Sequence, residues 1–457
     1  MSYNSRTLKL IQLELLNFKE KYFKEVAWVI AGQISMIILG VVSIKLLTTM
    51  PHSEYGKYNL VLALSAFLTS ILYGPAEQGF VRYYFEYKKA ALEGQFFKMI
   101  LKFLLYAGLF IFLLFSVFYL AATFLFNNMV KQYNFLAVIN IVIFIIVSSS
   151  NLAFNSILNL LRKRQLNALF SISERIISLL FISLIIFFSS LDAQLVLVSM
   201  TVAASVFLVL KFLKVRKFFT DENIEMNELA TQNLKKLKNQ MVTFCLPFLV
   251  WGITGWVQIS SDKFIISNYL NISNVGLYSL IFTITSYLIS TPVNIITQFI
   301  QPVVYEKILN SSKNEEIKLG YKLMNYALVL ILVLICFLFI FTFFWGNSLI
   351  LLLSNNTYLY HINLLPILCL GVGIFQLAQF YIMFGFINNT PNIYLPAKII
   401  SGIFAVIFNI YFINKYQLLG ITLSLLLVSL VYFSLVIYAN KKIGIRLFTK
   451  STSVISK

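Results

Sequence analysis

Apolar runs of about 20 residues return along the whole chain, separated by short polar or basic stretches. At 1.5 Å of rise per residue, about 20 helical residues cross the hydrocarbon core of a bilayer. The runs are continuous rather than alternating, which excludes barrel strands. They predict an all-α polytopic membrane protein with spans near 26–48, 59–82, 103–125, 135–160, 165–188, 193–214, 241–262, 275–301, 322–344, 362–386, 393–413 and 417–439. Before the first run, Leu8, Ile11, Leu15, Phe18 and Tyr22 fall at helical spacing among charges. This predicts an amphipathic segment over 1–25 that lies on the membrane face. No cleavable signal peptide is read there. A hydrophilic stretch over 218–240 separates six spans from six, giving lobes at 26–217 and 241–439 and a basic tail over 440–457.

Composition sharpens this picture. Of 457 residues, 59% are hydrophobic and 12% charged, about half the charge of a soluble domain. The net charge of +19 would suit nucleic acid, but the positions of the basic residues argue against that partner. With the N-terminus inside, 29 of the 36 Lys and Arg fall in cytoplasmic segments or at the adjoining span ends, and 5 on the outer side. That bias places both termini in the cytoplasm and requires an even number of spans. Cys245, Cys336 and Cys369 sit in apolar runs, and His52 and His361 lie in short loops on one side, so no metal pattern emerges. There is no phosphate loop and no Ser-His-Asp spacing, so the chain does not read as an enzyme.

The chain repeats itself. "SEYGKYNLVLAL" at 53–64 and "SNVGLYSLIFTI" at 273–284 share Ser, Gly, Tyr and Leu at an offset of 220. The register continues through Gln78 and Gln298, Glu86 and Glu306, Lys98 and Lys318, Lys102 and Lys322, then Tyr106-Ala107 and Tyr326-Ala327. Six spans per copy is an even number, so both copies point the same way, as two parallel lobes around a central cavity. At the shared Gly-x-Tyr, glycine predicts a tight turn and tyrosine an interfacial anchor.

These stretches, with "GFVRYYFE" at 79–86 and "SDKFIISNYLNISNVGLYSL" at 261–280, resemble the polysaccharide and O-antigen flippases of the multidrug/oligosaccharidyl-lipid/polysaccharide (MOP) exporter superfamily. Asp262-Lys263 followed by Gly276-Leu277-Tyr278 matches the family's acid-base pair and Gly-x-Tyr. The resemblance implies transport of an undecaprenyl-pyrophosphate-linked oligosaccharide across the bacterial inner membrane by alternating access. The partners it implies are that lipid-linked oligosaccharide, membrane lipids, a polysaccharide polymerase and glycosyltransferases. No cofactor is implied beyond a driving proton or Na⁺.

An ion deep in a bilayer costs about 2.5–3.5 kcal/mol on insertion scales, so each needs a reason. Arg175 lies mid-way through the fifth span, and Lys398 lies at the matching level of the eleventh. Both are candidates for the pyrophosphate, which Arg can bind with two donors. Asn151, Asn155 and Asn159 form one polar stripe. Tyr287, Thr291, Asn294, Gln298 and Gln301 form another. Both stripes suit either a sugar path or interhelical hydrogen bonds. Glu77 and Glu174 are candidates for ion coupling, although Arg82 lies within reach of Glu77 as a neutralising partner. Asp262 and Lys263 are candidates for a gate. Two alternatives stay open: a cation-coupled multidrug exporter of the same superfamily, and a membrane polysaccharide polymerase or ligase. The short outer loops disfavour the latter.

Overall fold

The computed structural model describes residues 31–125, 135–219, 228–309, 314–388 and 390–455. The amphipathic segment expected over 1–25 and residues 220–227 of the expected linker lie outside them. The described residues form helices and no strand. Ten helices are long and apolar enough to cross a membrane, with a shorter apolar helix at Ala31–Leu47.

We number the helices in chain order. They are α1 Ala31–Leu47, α2 His52–Lys89, α3 Glu93–Leu125, α4 Phe135–Leu160, α5 Arg164–Phe188 and α6 Ala193–Lys217. There follow α7 Glu228–Tyr269, α8 Ile272–Leu309, α9 Asn314–Leu353 and α10 Leu364–Ile387. The last long helix, Leu395–Ile455, is broken at Gln417, whose φ of 51° is non-helical. It therefore supplies two spans, α11 over 395–416 and α12 over 418–455. Once the last helix is divided, eleven of the twelve expected spans are matched by long apolar helices, and Ala31–Leu47 covers the described part of the first.

Local chemistry sets the breaks. Ala91 and Arg162 turn the chain with φ of 55° and 57°. The amide of Leu92 then reaches the Tyr87 carbonyl at 2.9 Å, and that of Lys163 reaches Leu158 at 2.8 Å. These six-to-one bonds close a helix end and satisfy carbonyls that would otherwise be orphaned. Asp192 caps α6 by accepting from the Leu195 amide at 2.7 Å. Within α2, Thr69–Tyr73 form a π-turn just ahead of Gly74 and Pro75. Such turns interrupt the α ladder and often mark functional places.

The described chain forms two compact units. One contains α1 up to Leu46, α2 from Ala76, α3 to α6, and α7 up to Phe244. Within it α4 packs on α6, and α5 on α6. The other contains Leu47–Pro75 and everything from Cys245. Within it the first half of α2 packs on α8, and α10 packs on α9 and on the α11–α12 segment.

Candidate functional site

The repeated Gly-x-Tyr is not a turn. Gly56 and Gly276 are both helical, and among the described residues no glycine has positive φ. A methyl group at Gly56 would land on the Ile272 carbonyl oxygen, and one at Gly276 on the His52 carbonyl oxygen. Two helix starts therefore cross backbone to backbone, which only a residue without Cβ permits. The tyrosines are not interfacial anchors either. Tyr58 is 4% exposed and Tyr278 is fully buried. Crossing at glycine draws the helices so close that the next residues are enclosed.

His52 stands at the same end, its ring 4.5 Å from that of Tyr358 in an edge-on contact. His361 lies in a 3₁₀ turn, Asn356–His361, outside the spans. Burial pushes its pKa below the usual histidine value, and His52 nearby pushes it the same way. The Asn355 amide donates to the Thr48 carbonyl at 3.0 Å, tying that turn to the start of α2.

Below the crossing, α2, α7 and α8 line an open cavity of about 380 Å³, within the range of small-molecule sites. Asn59, Ser260, Thr283, Ser286, Tyr287 and Thr291 give it hydroxyl and amide groups, and Lys263 its only charge among the described residues. The Lys263 ammonium lies 4.8 Å from the centre of the Phe282 ring and 3.5 Å from Asp262 Oδ1. Asp262 also accepts from the Tyr278 hydroxyl at 2.6 Å. The repeated tyrosine thus orients the acid beside the cavity's lysine. α7 is held by two further contacts: Trp256 Nε1 donates to the Ala63 carbonyl at 2.7 Å, and Gly252 faces the Ser70 carbonyl of the π-turn. Trp256 is thereby committed to helix packing.

Lys398 is 2% exposed. Its ammonium stands 5.4, 5.1 and 4.6 Å from the ring centres of Trp251, Phe375 and Tyr432. Among the described residues its one side-chain hydrogen bond is to Gln258 Oε1 at 3.3 Å, and Gln258 donates in turn to Ser401. This is an aromatic cage around a resident cation. Arg175 is half-buried on α5 and makes no ion pair or side-chain hydrogen bond among the described residues.

A buried cation that position alone did not reveal is Lys211. It lies close enough to the end of α6 to read as a boundary lysine, yet its side chain is 0% exposed. It donates to Glu174 Oε2 at 2.9 Å and to Asn151 Oδ1 at 3.0 Å. The Asn151 amide donates to the Ala204 carbonyl at 2.8 Å. Glu174 and Asn151 are thus joined in one network between α4, α5 and α6. Nothing in the spacing of residues 174 and 211 could have signalled it.

Asn159 accepts from Asn167 at 3.0 Å, while Asn155 is half-buried with its Oδ1 unbonded among the described residues. On α8, Tyr287 and Thr291 line the cavity, whereas Asn294 and Gln298 are exposed. Glu77 is half-buried and takes a hydrogen bond from Ser156 of α4. Arg82 instead pairs with Glu86 at 3.4 Å. Among the described residues, no group of three or more His, Cys, Asp or Glu is placed to hold a metal.

Solved structures share this architecture. The chain is similar to a lipid II flippase MurJ in an inward closed conformation, with 15% identity, a TM-score of 0.65, and 93% of this chain and 90% of that one covered. It is also similar to a multidrug resistance MATE family transporter of the MOP superfamily in an inward-facing conformation, with 12% identity, a TM-score of 0.58, and 90% and 94% covered. A mutant of the Vibrio cholerae MATE transporter VcmN gives 14% identity, a TM-score of 0.55, and 93% and 96% covered. At these identities the likeness establishes the twelve-helix transporter fold. Comparison with curated proteins gives no match. The family described as "Polysaccharide biosynthesis protein" matches residues 22–306, well over half the chain, and this multi-pass membrane protein belongs to that family.

Proposed function

We propose that the protein is a flippase for a lipid-linked oligosaccharide, carrying an undecaprenyl-pyrophosphate-linked repeat unit from the inner to the outer leaflet of a bacterial cytoplasmic membrane. The product would feed assembly of a surface polysaccharide, whether O-antigen, capsule or exopolysaccharide. The observation that carries the reading is the cavity in which hydroxyls, an amide and the ammonium of Lys263 stand among Leu62, Ala63, Ala66 and Phe282. Hydroxyls and amides match a sugar, and an ammonium matches a phosphate group. Asp262, which pairs with Lys263 and accepts from Tyr278, is not among the residues that line the cavity. A pump for cationic drugs needs the opposite sign at its binding site. The crossing of α2 and α8 stands at the helix ends that the charge bias assigns to the exterior. Arg175, free of an ion pair among the described residues, is a second candidate for the pyrophosphate.

The test is gene deletion in the native host, complemented with wild type or Lys263→Glu. Loss of surface glycan, with lipid-linked repeat units accumulating on the inner leaflet, is expected for the deletion and for Lys263→Glu. Unchanged glycan together with altered drug sensitivity would replace this reading with the exporter.

A further inference from the structure

Basic residues gather at the inner ends of membrane helices in general, but nothing in that rule denies them acid neighbours. In the first compact unit these ends are of two kinds. Where α2 turns into α3, Arg82 pairs with Glu86 at 3.4 Å and Lys88 with Glu93 at 3.5 Å. Around the α4–α5 turn and the end of α6, the charge has one sign. Residues 160–173 and 193–219 contain no Asp or Glu. Arg162, Lys163, Arg164 and Lys214 are all exposed, and none has an ion pair among the described residues.

Two contacts make these cations one patch. The Lys163 ammonium lies 5.0 Å from the centre of the Phe218 ring, which joins the α4–α5 turn to the end of α6. The next ring, Phe219, is buried and stacks on Phe97 of α3 at 5.0 Å. That contact anchors the end of α6, while Phe218 stays exposed beside the charges. What adjoins the patch shows which anion fits it. α5 and α6 pack on each other, and each leaves an apolar stripe exposed. On α5 the stripe is Leu169, Ile176 and Leu180, and on α6 it is Val206, Val209 and Leu213. Steps of three, four and seven residues keep each set on one helix face. The α6 stripe runs directly into Lys214, and the α5 stripe begins in the turns after Arg164. In a bilayer such faces meet acyl chains. A water-soluble anion would leave both stripes unused, and a single-chain lipid would leave one.

We propose that the inner ends of α4, α5 and α6 form a docking surface for an anionic diacyl phospholipid of the inner leaflet. Its phosphate sits among Arg162, Lys163, Arg164 and Lys214, and its two chains lie along the stripes of α5 and α6. Each guanidinium can offer paired donors to phosphate oxygens. A choline lipid carries its own cation and therefore gains less from the patch. Occupancy ties the inner end of this unit to the charge of the leaflet. The inference does not depend on what the protein transports.

The test gives full-length protein in neutral detergent equal amounts of phosphatidylglycerol and phosphatidylcholine with the same chains. Native mass spectrometry then counts the lipids retained. Phosphatidylglycerol should be preferred, and added NaCl should weaken the preference. One cation at a membrane surface contributes about fivefold. Combining Arg162→Gln, Arg164→Gln and Lys214→Gln should therefore reduce the preference by at least about tenfold. Lys318→Gln, Lys441→Gln and Lys442→Gln together remove the same charge from the other unit and should leave it unchanged. If the first triple variant does not accumulate, Arg164→Gln alone should show a loss of about fivefold. Equal retention of both lipids by wild type, or equal losses in the two triple variants, would overturn the site. So would two reassignments of the patch. Displacement of phosphatidylglycerol by equimolar undecaprenyl phosphate would give it to a single-chain lipid. Greater phosphatidylglycerol retention after Asp221→Asn, Glu222→Gln and Glu225→Gln would give it to that acidic stretch of the chain.

Discussion

Gly56 and Gly276 face each other's helices in a symmetric crossing: the first meets the carbonyl of Ile272, the second that of His52. Residues 52 and 272 are themselves 220 apart, as are 56 and 276. The internal repeat therefore meets itself at this point. Alanine should favour each helix alone by about 1 kcal/mol. Overpacking costs about 1–3 kcal/mol, and here the obstruction is backbone that cannot rotate away. Gly56→Ala and Gly276→Ala should each lower thermal stability in detergent. The double variant should lose less than the sum, because both methyl groups part the same pair of helices.

Lys398 and Lys263 should separate in experiment. Lys398→Met keeps the aliphatic stem and removes a charge that has no acid partner among the described residues, an exchange that is often neutral or stabilising. Its unfolding free energy should stay within about 1 kcal/mol of wild type. Lys398→Glu, by contrast, should fail to accumulate, because it puts a carboxylate against three rings. Lys263→Ala should fold but lose glycan transport. If Lys398→Met abolishes transport in a folded protein, Lys398 joins Lys263 at the substrate.

Lys211→Met should destabilise the protein by stranding Glu174. Breaking a fully buried pair costs about 3–5 kcal/mol. Glu174 keeps 24% of its side-chain exposure, so a loss of about 3 kcal/mol, at the lower end of that range, is expected. Adding Glu174→Gln should restore most of it. Chemical unfolding of the three variants in detergent gives the comparison.

His361 predicts a pH dependence outside the spans. Its folded pKa lies below the ordinary value of about 6.5, so the unfolded chain takes up a proton first as pH falls. Stability is therefore unaffected above that value and declines as pH drops below it, levelling off below the folded pKa. The melting temperature of wild type should fall more than that of His361→Gln between pH 8 and pH 5. Equal falls would assign the effect to other groups.

Most of the fold was legible because the bilayer constrains it so tightly. Twelve apolar runs gave twelve helical segments, including the two divided at Gln417. Side-chain partnerships were less legible, since they depend on how helices rotate against one another. Lys211 and Glu174 are 37 residues apart, with no periodicity linking them. Lys398 looked available to a ligand because its helix position was known and its three-ring enclosure was not. The Gly-x-Tyr repeat was seen but read locally, as a turn and an anchor. Its physical reason is a long-range contact between the two copies, which neither copy contains by itself.

The π-turn in α2 has a mechanical corollary. Thr69–Tyr73 hold one residue more than a regular ladder would use. That spare residue is slack, and slack can travel: shifting the bulge by a turn re-aims the side chains it passes, while the span stays hydrogen-bonded at both ends. A helix so equipped can change what it shows to the cavity without unwinding in lipid.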